Sequence, residues 1–358
     1  MNPDQYLCQP RITNLFVRST RQDLALPAFD NGNGKLVQSE TMEQLGLNLR
    51  LLEDIAAIDS PSGDETELAD FVELWATSNL PNRKTVRLGD NVIVHSRGNS
   101  NVAIFAHLDT TGYTVGYDAN LIEIGSPDGR TGDILRAAGS RDARHVLWID
   151  GDGHPRIENG SAVNPGDRLV FASPLDISSS EIVGPYLDNK IGVWAACNAL
   201  LRSENSAAVF CCGEETSGGG ARVCSRYIYD VLSIEQAIVC DVTWVTEHVR
   251  AGSGPAISLR DACLPRRAYV DYVGSFAKQC DLAFQIEVES SGASDGMWIE
   301  QSGYPIDWVF IGAPERGSHS SRETVTRNDA RGMVDLIAHI SRELSEQPFS
   351  ATRRKKLC

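Results

Sequence analysis

Four short apolar runs, NVAIFAH, SAAVFCCGEE, QAIVCD and PIDWVFIG, recur along the chain, each turning polar or glycine-rich at its end. Runs so uniformly apolar do not suit a sheet with one solvated face; they suit strands covered on both sides. Between and around them lie segments with helical apolar spacing: TMEQLGLNLRLLEDIAAI and DETELADFVELWATSNL about a Pro-Ser-Gly turn, then NKIGVWAACNALLRS, GGARVCSRYIYDVL, ASDGMWIEQSG and the closing DARGMVDLIAHISRELSE. Such alternation predicts an α/β fold, a mixed and largely parallel sheet sandwiched by helices.

The rhythm breaks between residues 118 and 180. There GSPDGRTGD, DGDGHP and NPGDRLVFASP set short β-like pieces between Gly, Pro and Asp turns, which predicts a small inserted β domain. The α/β domain is then expected over 44–117 and 181–348. Residues 1–43, with two Asn-Gly steps, read as an irregular extension, and 349–358 as a basic tail containing RRKK.

Composition narrows the function classes. The formal net charge is -15 and no Lys/Arg block precedes the terminal RRKK, which argues against a nucleic-acid groove or an anionic membrane surface. No apolar stretch of the roughly 18 residues a membrane span needs occurs, and no charged segment leads into an apolar one at the start; a cytoplasmic protein is expected. The nine cysteines are odd in number and lack CxxC or Cys/His finger spacing. Cys197, Cys211, Cys212 and Cys240 sit in apolar runs, as reduced thiols do.

Ligands of open α/β sheets bind beyond the carboxyl ends of the strands. There the chain places His107, the adjacent Glu214 and Glu215, and Asp241; His319 follows the last strand in the loop APERGSHSS, and Asp188 precedes a helix. Each alone has an ordinary reading: Asp188 as a helix N-cap, Asp241 as a turn residue, His107 as a core histidine, His319 as a solvated loop residue. As a set, two imidazoles and several carboxylates provide the N and O ligands of a two-metal centre for zinc, or for cobalt or manganese, with one carboxylate bridging ions about 3.5–4 Å apart. Two divalent cations also balance three carboxylates and a hydroxide. Asp109, two residues beyond His107, can accept the other imidazole N–H and fix the tautomer.

In order along residues 48 to 346, the motifs AHLDTTG, GPYLDNKIGVWAA, VFCCGEETSGGGA, IVCDVT, SGASDGMWI and ERGSHSSRE resemble the dimetal aminopeptidases of the glutamyl aminopeptidase, deblocking and tetrahedral type. The resemblance implies a zinc-peptidase-like fold whose inserted domain serves assembly, from dimers to dodecamers, and peptide substrates with a free N-terminus. It implies that Asp188 bridges two metal ions, with His107 and Glu215 completing one and Asp241 and His319 the other. Glu214 would be the general acid/base and Asp109 the residue orienting His107. The chain departs from the family pattern at Thr110 and Thr111, at Asn189 and Lys190 after Asp188, and at Gly317 and Ser318 before His319. These changes spare the ligands and alter the pocket walls. Arg316 and Arg322 flank His319 and could favour acidic substrates. Competing readings are a related dimetal deacylase or carboxypeptidase, a glycosidase using paired acids, and a non-catalytic scaffold of the same fold.

Overall fold

A strand buried on both faces must send alternate side chains into two separate cores. The computed structural model, which describes residues 48–117, 120–140, 144–157, 163–216, 218–279 and 281–350, shows this in Val102–His107. Val102, Ile104 and Ala106 join a core with Trp194, Ile337 and Leu52, while Ala103 and Phe105 join another with Cys224, Ile228 and Ile299. The expected extension 1–43 and the tail beyond residue 350 lie outside the described residues.

Among the described residues the main sheet has eleven strands. Its centre is parallel, running Ser206–Cys211, Val102–His107, Gln236–Trp244 and Asp307–Arg316. Antiparallel strands flank it: Asn91–Ser96 and Arg83–Leu88 on one side, Glu323–Thr326, Glu181–Gly184 and Asp176–Ile177 on the other. Helices Leu49–Ala56, Leu187–Arg202, Arg267–Ala277 and Arg327–Glu346 supply the first core; Gly219–Asp230 and Asp295–Glu300 supply the second. The expected mixed, largely parallel α/β architecture is therefore present, with Arg267–Ala277 additional to the expected helices.

Register sets the site. Cys211 pairs with His107, and Ala237 with Ala103; continuing the second pairing brings Asp241 level with His107. Two central strands are longer than their apolar runs suggest. Gln236–Trp244 and Asp307–Arg316 stay paired from Asp241↔Gly312 to Trp244↔Glu315, so the loop before the closing hairpin strand shortens to Gly317–Arg322.

Among the described residues a second sheet of six strands runs Leu121–Ile124, Gly112–Val115, Arg168–Phe171, Ile134–Ala137, His145–Ile149 and Pro155–Ile157, with its own core of Tyr113, Leu135, Leu147, Leu169 and Phe171. Its first strand starts at Gly112, ahead of the expected boundary, and Asp176–Ile177 already belongs to the main sheet. Tyr186 stacks on Phe171 at 5.9 Å and accepts its backbone N–H at 2.6 Å. That contact ties the two sheets together just before Asp188.

Candidate active site

Asp188 begins the buried helix Leu187–Arg202, yet its own backbone and that of Asn189 are not helical. Asn189 does the capping: its Oδ1 accepts from Gly192 N at 2.8 Å, and its Nδ2 donates to Cys240 O at 3.0 Å. Asp188 is thereby freed, its backbone N–H donated to Glu323 Oε2 at 3.0 Å and its carboxylate turned toward two histidines.

His107 and His319 meet Asp188 from opposite sides. His107 Nε2 lies 3.2 Å from Asp188 Oδ1 and 3.5 Å from Asp241 Oδ2. His319 Nε2 lies 3.3 Å from Asp188 Oδ2 and 3.5 Å from Glu215 Oε2. Each ring is fixed through its other nitrogen by a backbone carbonyl, Asp109 O for His107 and Ser126 O for His319, both at 3.0 Å. A carbonyl can only accept, so Nδ1 carries the proton and Nε2 faces the carboxylates.

Asp109 thus meets the His107 ring through its backbone carbonyl, and its carboxylate takes a further task. Its carboxylate stands 3.6 Å from His107 Nδ1, while it accepts the backbone N–H groups of Glu214 and Glu215 at 2.9 and 3.0 Å and the Ser62 hydroxyl at 2.6 Å. It clamps the turn that presents the two glutamates. That turn opens at Gly213, whose φ of 77° is a left-handed conformation that favours glycine, and it is closed by Gly218 N donating to Gly213 O at 2.6 Å. Glu215 then faces His319, leaving its Oε1 buried without a partner, and Glu214 lines the cavity with no hydrogen bond to its carboxyl among the described residues.

Electrostatics follow from burying so many carboxylates together. Burial raises Glu214 well above its ordinary range, with Asp295, Glu215 and Asp241 adding to the effect and His107 opposing it. Burial, reinforced by Asp188, pushes Glu215 up to about 8, and burial pushes Asp241 up to about 6. For Asp188 burial acts upward too, but hydrogen bonds from His107 and His319 outweigh it and hold the group well below the usual range. Conversely, burial disfavours charge on the imidazoles, but Asp241, Asp109 and Asp188 hold His107 high, and Asp188 and Glu215 carry His319 up to about 10. So many buried carboxylates facing the two Nε2 atoms favour positive charge there. Together with the orphaned Glu215 Oε1 and an all-N,O donor set, this fits divalent metal ions.

All of the sequence-selected residues meet at one place: His107, Asp188, Glu214, Glu215, Asp241 and His319 line a single cavity of about 560 Å³, with Asp109 beneath its glutamate turn. Ligand atoms of His107, Asp188 and Glu215 lie within 4.8 Å of one another. After the contacts to Asp188, the next shortest pair His107 with Asp241 and His319 with Glu215, each at 3.5 Å.

Three contributors have no signal at the level of motif spacing. Ser126 comes from the second sheet's side of the chain, and Asp128 N also donates to His319 O at 2.9 Å. Gly125 packs so closely that an added Cβ would fall 2.9 Å from Thr111 and 3.2 Å from Glu215 Oε2. Glu323, fully buried, holds the Asp188 amide. Its position within ERGSHSSRE was the only available clue.

Comparison with known proteins is consistent with this geometry. A family model described as M42 glutamyl aminopeptidase matches residues 137–336. An aminopeptidase of the archaeon Desulfurococcus kamchatkensis superposes with a TM-score of 0.72 at 21% identity, covering 82% of this chain and 94% of that one. A TET aminopeptidase from a marine-sediment Thaumarchaeota archaeon gives 0.73 at 19% identity, covering 83% and 97%. The Pyrococcus horikoshii TET1 peptidase, described as assembling into a tetrahedron or a large octahedral shell, gives 0.68 at 19% identity, covering 83% and 99%.

Proposed function

The chain belongs to the M42 glutamyl aminopeptidase family, a family of metal-dependent peptide hydrolases, and from that premise we propose that it removes N-terminal residues from peptides at a centre built for two divalent metal ions. The observation that carries this reading is the pair of histidines aimed by backbone carbonyls at opposite oxygens of Asp188. Asp188 would be shared by both ions, His107 and Asp241 would hold one, and His319 and Glu215 the other. Zinc suits this donor set, as do cobalt and manganese.

When bound, the ions would lower the pKa of a water from 15.7 toward about 7 and polarise the scissile carbonyl. The protein's own groups do the rest. Glu214, on the cavity wall with no hydrogen bond to its carboxyl among the described residues, takes the proton of the attacking water and returns it to the leaving amine. Asp109 positions it by holding the amides of Glu214 and Glu215, and Ser62 holds Asp109. The paired-acid glycosidase reading has little support, since Glu214 and Glu215 share one turn and Glu215 faces His319.

Self-association and a cytoplasmic setting belong to the same proposal. The first is supported by the assembling TET1 relative, the second by free thiols at Cys197, Cys211, Cys212, Cys224, Cys240 and Cys263.

Chelation followed by addition of zinc, cobalt or manganese, assayed on unblocked aminoacyl amides and their N-acetylated counterparts, tests the reading. Hydrolysis of the unblocked set should vanish on chelation and return with metal, and the blocked set should stay intact. Activity that survives complete metal removal would reject the metal centre; cleavage of the acetylated set alone would point to a deacylase.

A further inference from the structure

The catalytic cavity has a second group of carboxylates that hydrolysis does not use. Asp261, Glu287 and Glu289 line it together with Trp244, Met297, Trp298 and Phe310. Among the described residues no lysine or arginine lines it, and the basic side chains that do are His107 and His319. Arg316 and Arg322, which could have favoured acidic substrates, are absent from the lining, and Arg316 instead approaches Glu181 at 3.7 Å.

Each of the three acids is built into place. Asp261, 5% exposed, accepts from Cys263 N at 2.7 Å and from Ser294 Oγ at 2.6 Å. Glu287, 4% exposed, accepts the Thr243 hydroxyl. Glu289 Oε1 accepts the amides of Ser290, Ser291 and Gly292 at 2.5, 2.9 and 3.4 Å, leaving Oε2 without a hydrogen-bond donor among the described residues. The Arg260 guanidinium donates to the backbone carbonyl of Glu289 at 3.2 Å, and Arg260 O accepts the Glu289 amide at 2.9 Å. Against the effect of burial, the amides hold Glu289 below its ordinary range, so it is charged at neutral pH. Burial raises Asp261 and Glu287, and all three acids line the one cavity. The indole Nε1 of Trp298, on this cavity, is also buried and has no partner among the described residues.

Resting on the aminopeptidase reading, we propose that this wall receives the side chain of the substrate's N-terminal residue and selects a cation, lysine or arginine. The aromatic and methionine surfaces suit the methylene stem, and the carboxylates, led by Glu289, suit the terminal ammonium or guanidinium. Metal ions at the neighbouring centre would engage Asp188, Glu215 and Asp241, so the three further acids, Glu289 charged among them, are left for the substrate.

Lysinamide and norleucinamide differ by that terminal amine alone, so the ratio of their kcat/KM values isolates the wall. Wild type should favour lysinamide by about 10-fold or more, with glutamic acid amide poorest. Glu289→Gln keeps an oxygen for the three amides and should cut the ratio about 10-fold, mainly through KM; Glu289→Lys should move preference toward the glutamic acid amide. Equal cleavage of lysinamide and norleucinamide, or a Glu289→Gln variant that weakens both alike, would overturn the proposal while leaving the aminopeptidase reading intact. Calorimetric binding of the same two amides separates the claims from the other side. Lysinamide bound more tightly than norleucinamide, and less so in Glu289→Gln, with no turnover of either, would uphold the wall and reject the peptidase.

Discussion

At the residue scale the central question is how two adjacent glutamates take different tasks. Their amides are pinned by one carboxylate, Asp109, and the turn at Gly213 sends Glu215 toward His319 while Glu214 faces the cavity. Glu214→Gln preserves size and should leave the Glu215 side in place. We expect metal content by elemental analysis to stay at the wild-type level while kcat falls by about 10²–10⁴-fold. A variant that loses its metal would make Glu214 a ligand, and one that keeps full turnover would remove it from the mechanism. His107 and Glu215 were legible from sequence because a polar residue ending an apolar run has few places to go. The partner of each histidine was not: whether His107 lies nearer Asp241 or Glu215 depends on strand register and turn geometry, which residue spacing does not encode.

At the scale of elements, the helix Leu187–Arg202 is the part that aims Asp188, and it does so by lying directly on the sheet. A Cβ added to Gly192 would fall 2.4 Å from Cys240 O and 2.0 Å from Asn189 Oδ1. Gly192→Ala must therefore displace either the strand contact or the cap. It should destabilise the protein by about 1–3 kcal/mol, seen as a lower melting temperature, and lower its metal content; an unchanged melting temperature would show that the helix can lift without cost. The alternation of strands and helices was readable because each core face leaves its own period in the sequence. Less readable was the meeting of Ser126 with His319, because such a contact joins distant segments through loops with no period.

The second sheet supplies a pH prediction of its own. In the turn between His145–Ile149 and Pro155–Ile157, Asp150 accepts the His154 amide, Arg156 Nε and the Asp152 amide, which hold its carboxyl well below the usual range. A depressed folded-state pKa adds stability that is complete above the unfolded value of about 3.9 and is lost as pH falls toward the folded one. Melting temperature should thus drop more steeply below about pH 4 in wild type than in Asp150→Asn, whose difference from wild type should be largest near neutrality. A difference that stays constant across that range would mean the turn does not depend on the charge.

For the whole molecule, the second sheet has two faces with different consequences. One end reaches the site through Ser126 and Gly125. Elsewhere it leaves apolar side chains in solvent: Ile122 is 56% exposed, and Val146 and Trp148, 37% and 45% exposed, alternate with buried His145 and Leu147 along one strand. Exposed apolar side chains repeated along one strand face suit contact with another copy, where the same patch meets itself across a two-fold axis or closes a ring. If self-association uses this face, Val146→Glu with Trp148→Glu should reduce the mass measured by sedimentation velocity to that of smaller species, at unchanged melting behaviour of the isolated chain. Because the same sheet carries the carbonyl that fixes His319, activity per chain should fall with the mass as the ring loses its brace. A wild-type protein that sediments as a monomer at every concentration would reject assembly altogether, and a dissociated double variant with full activity would show that Ser126 is held by the fold of one chain.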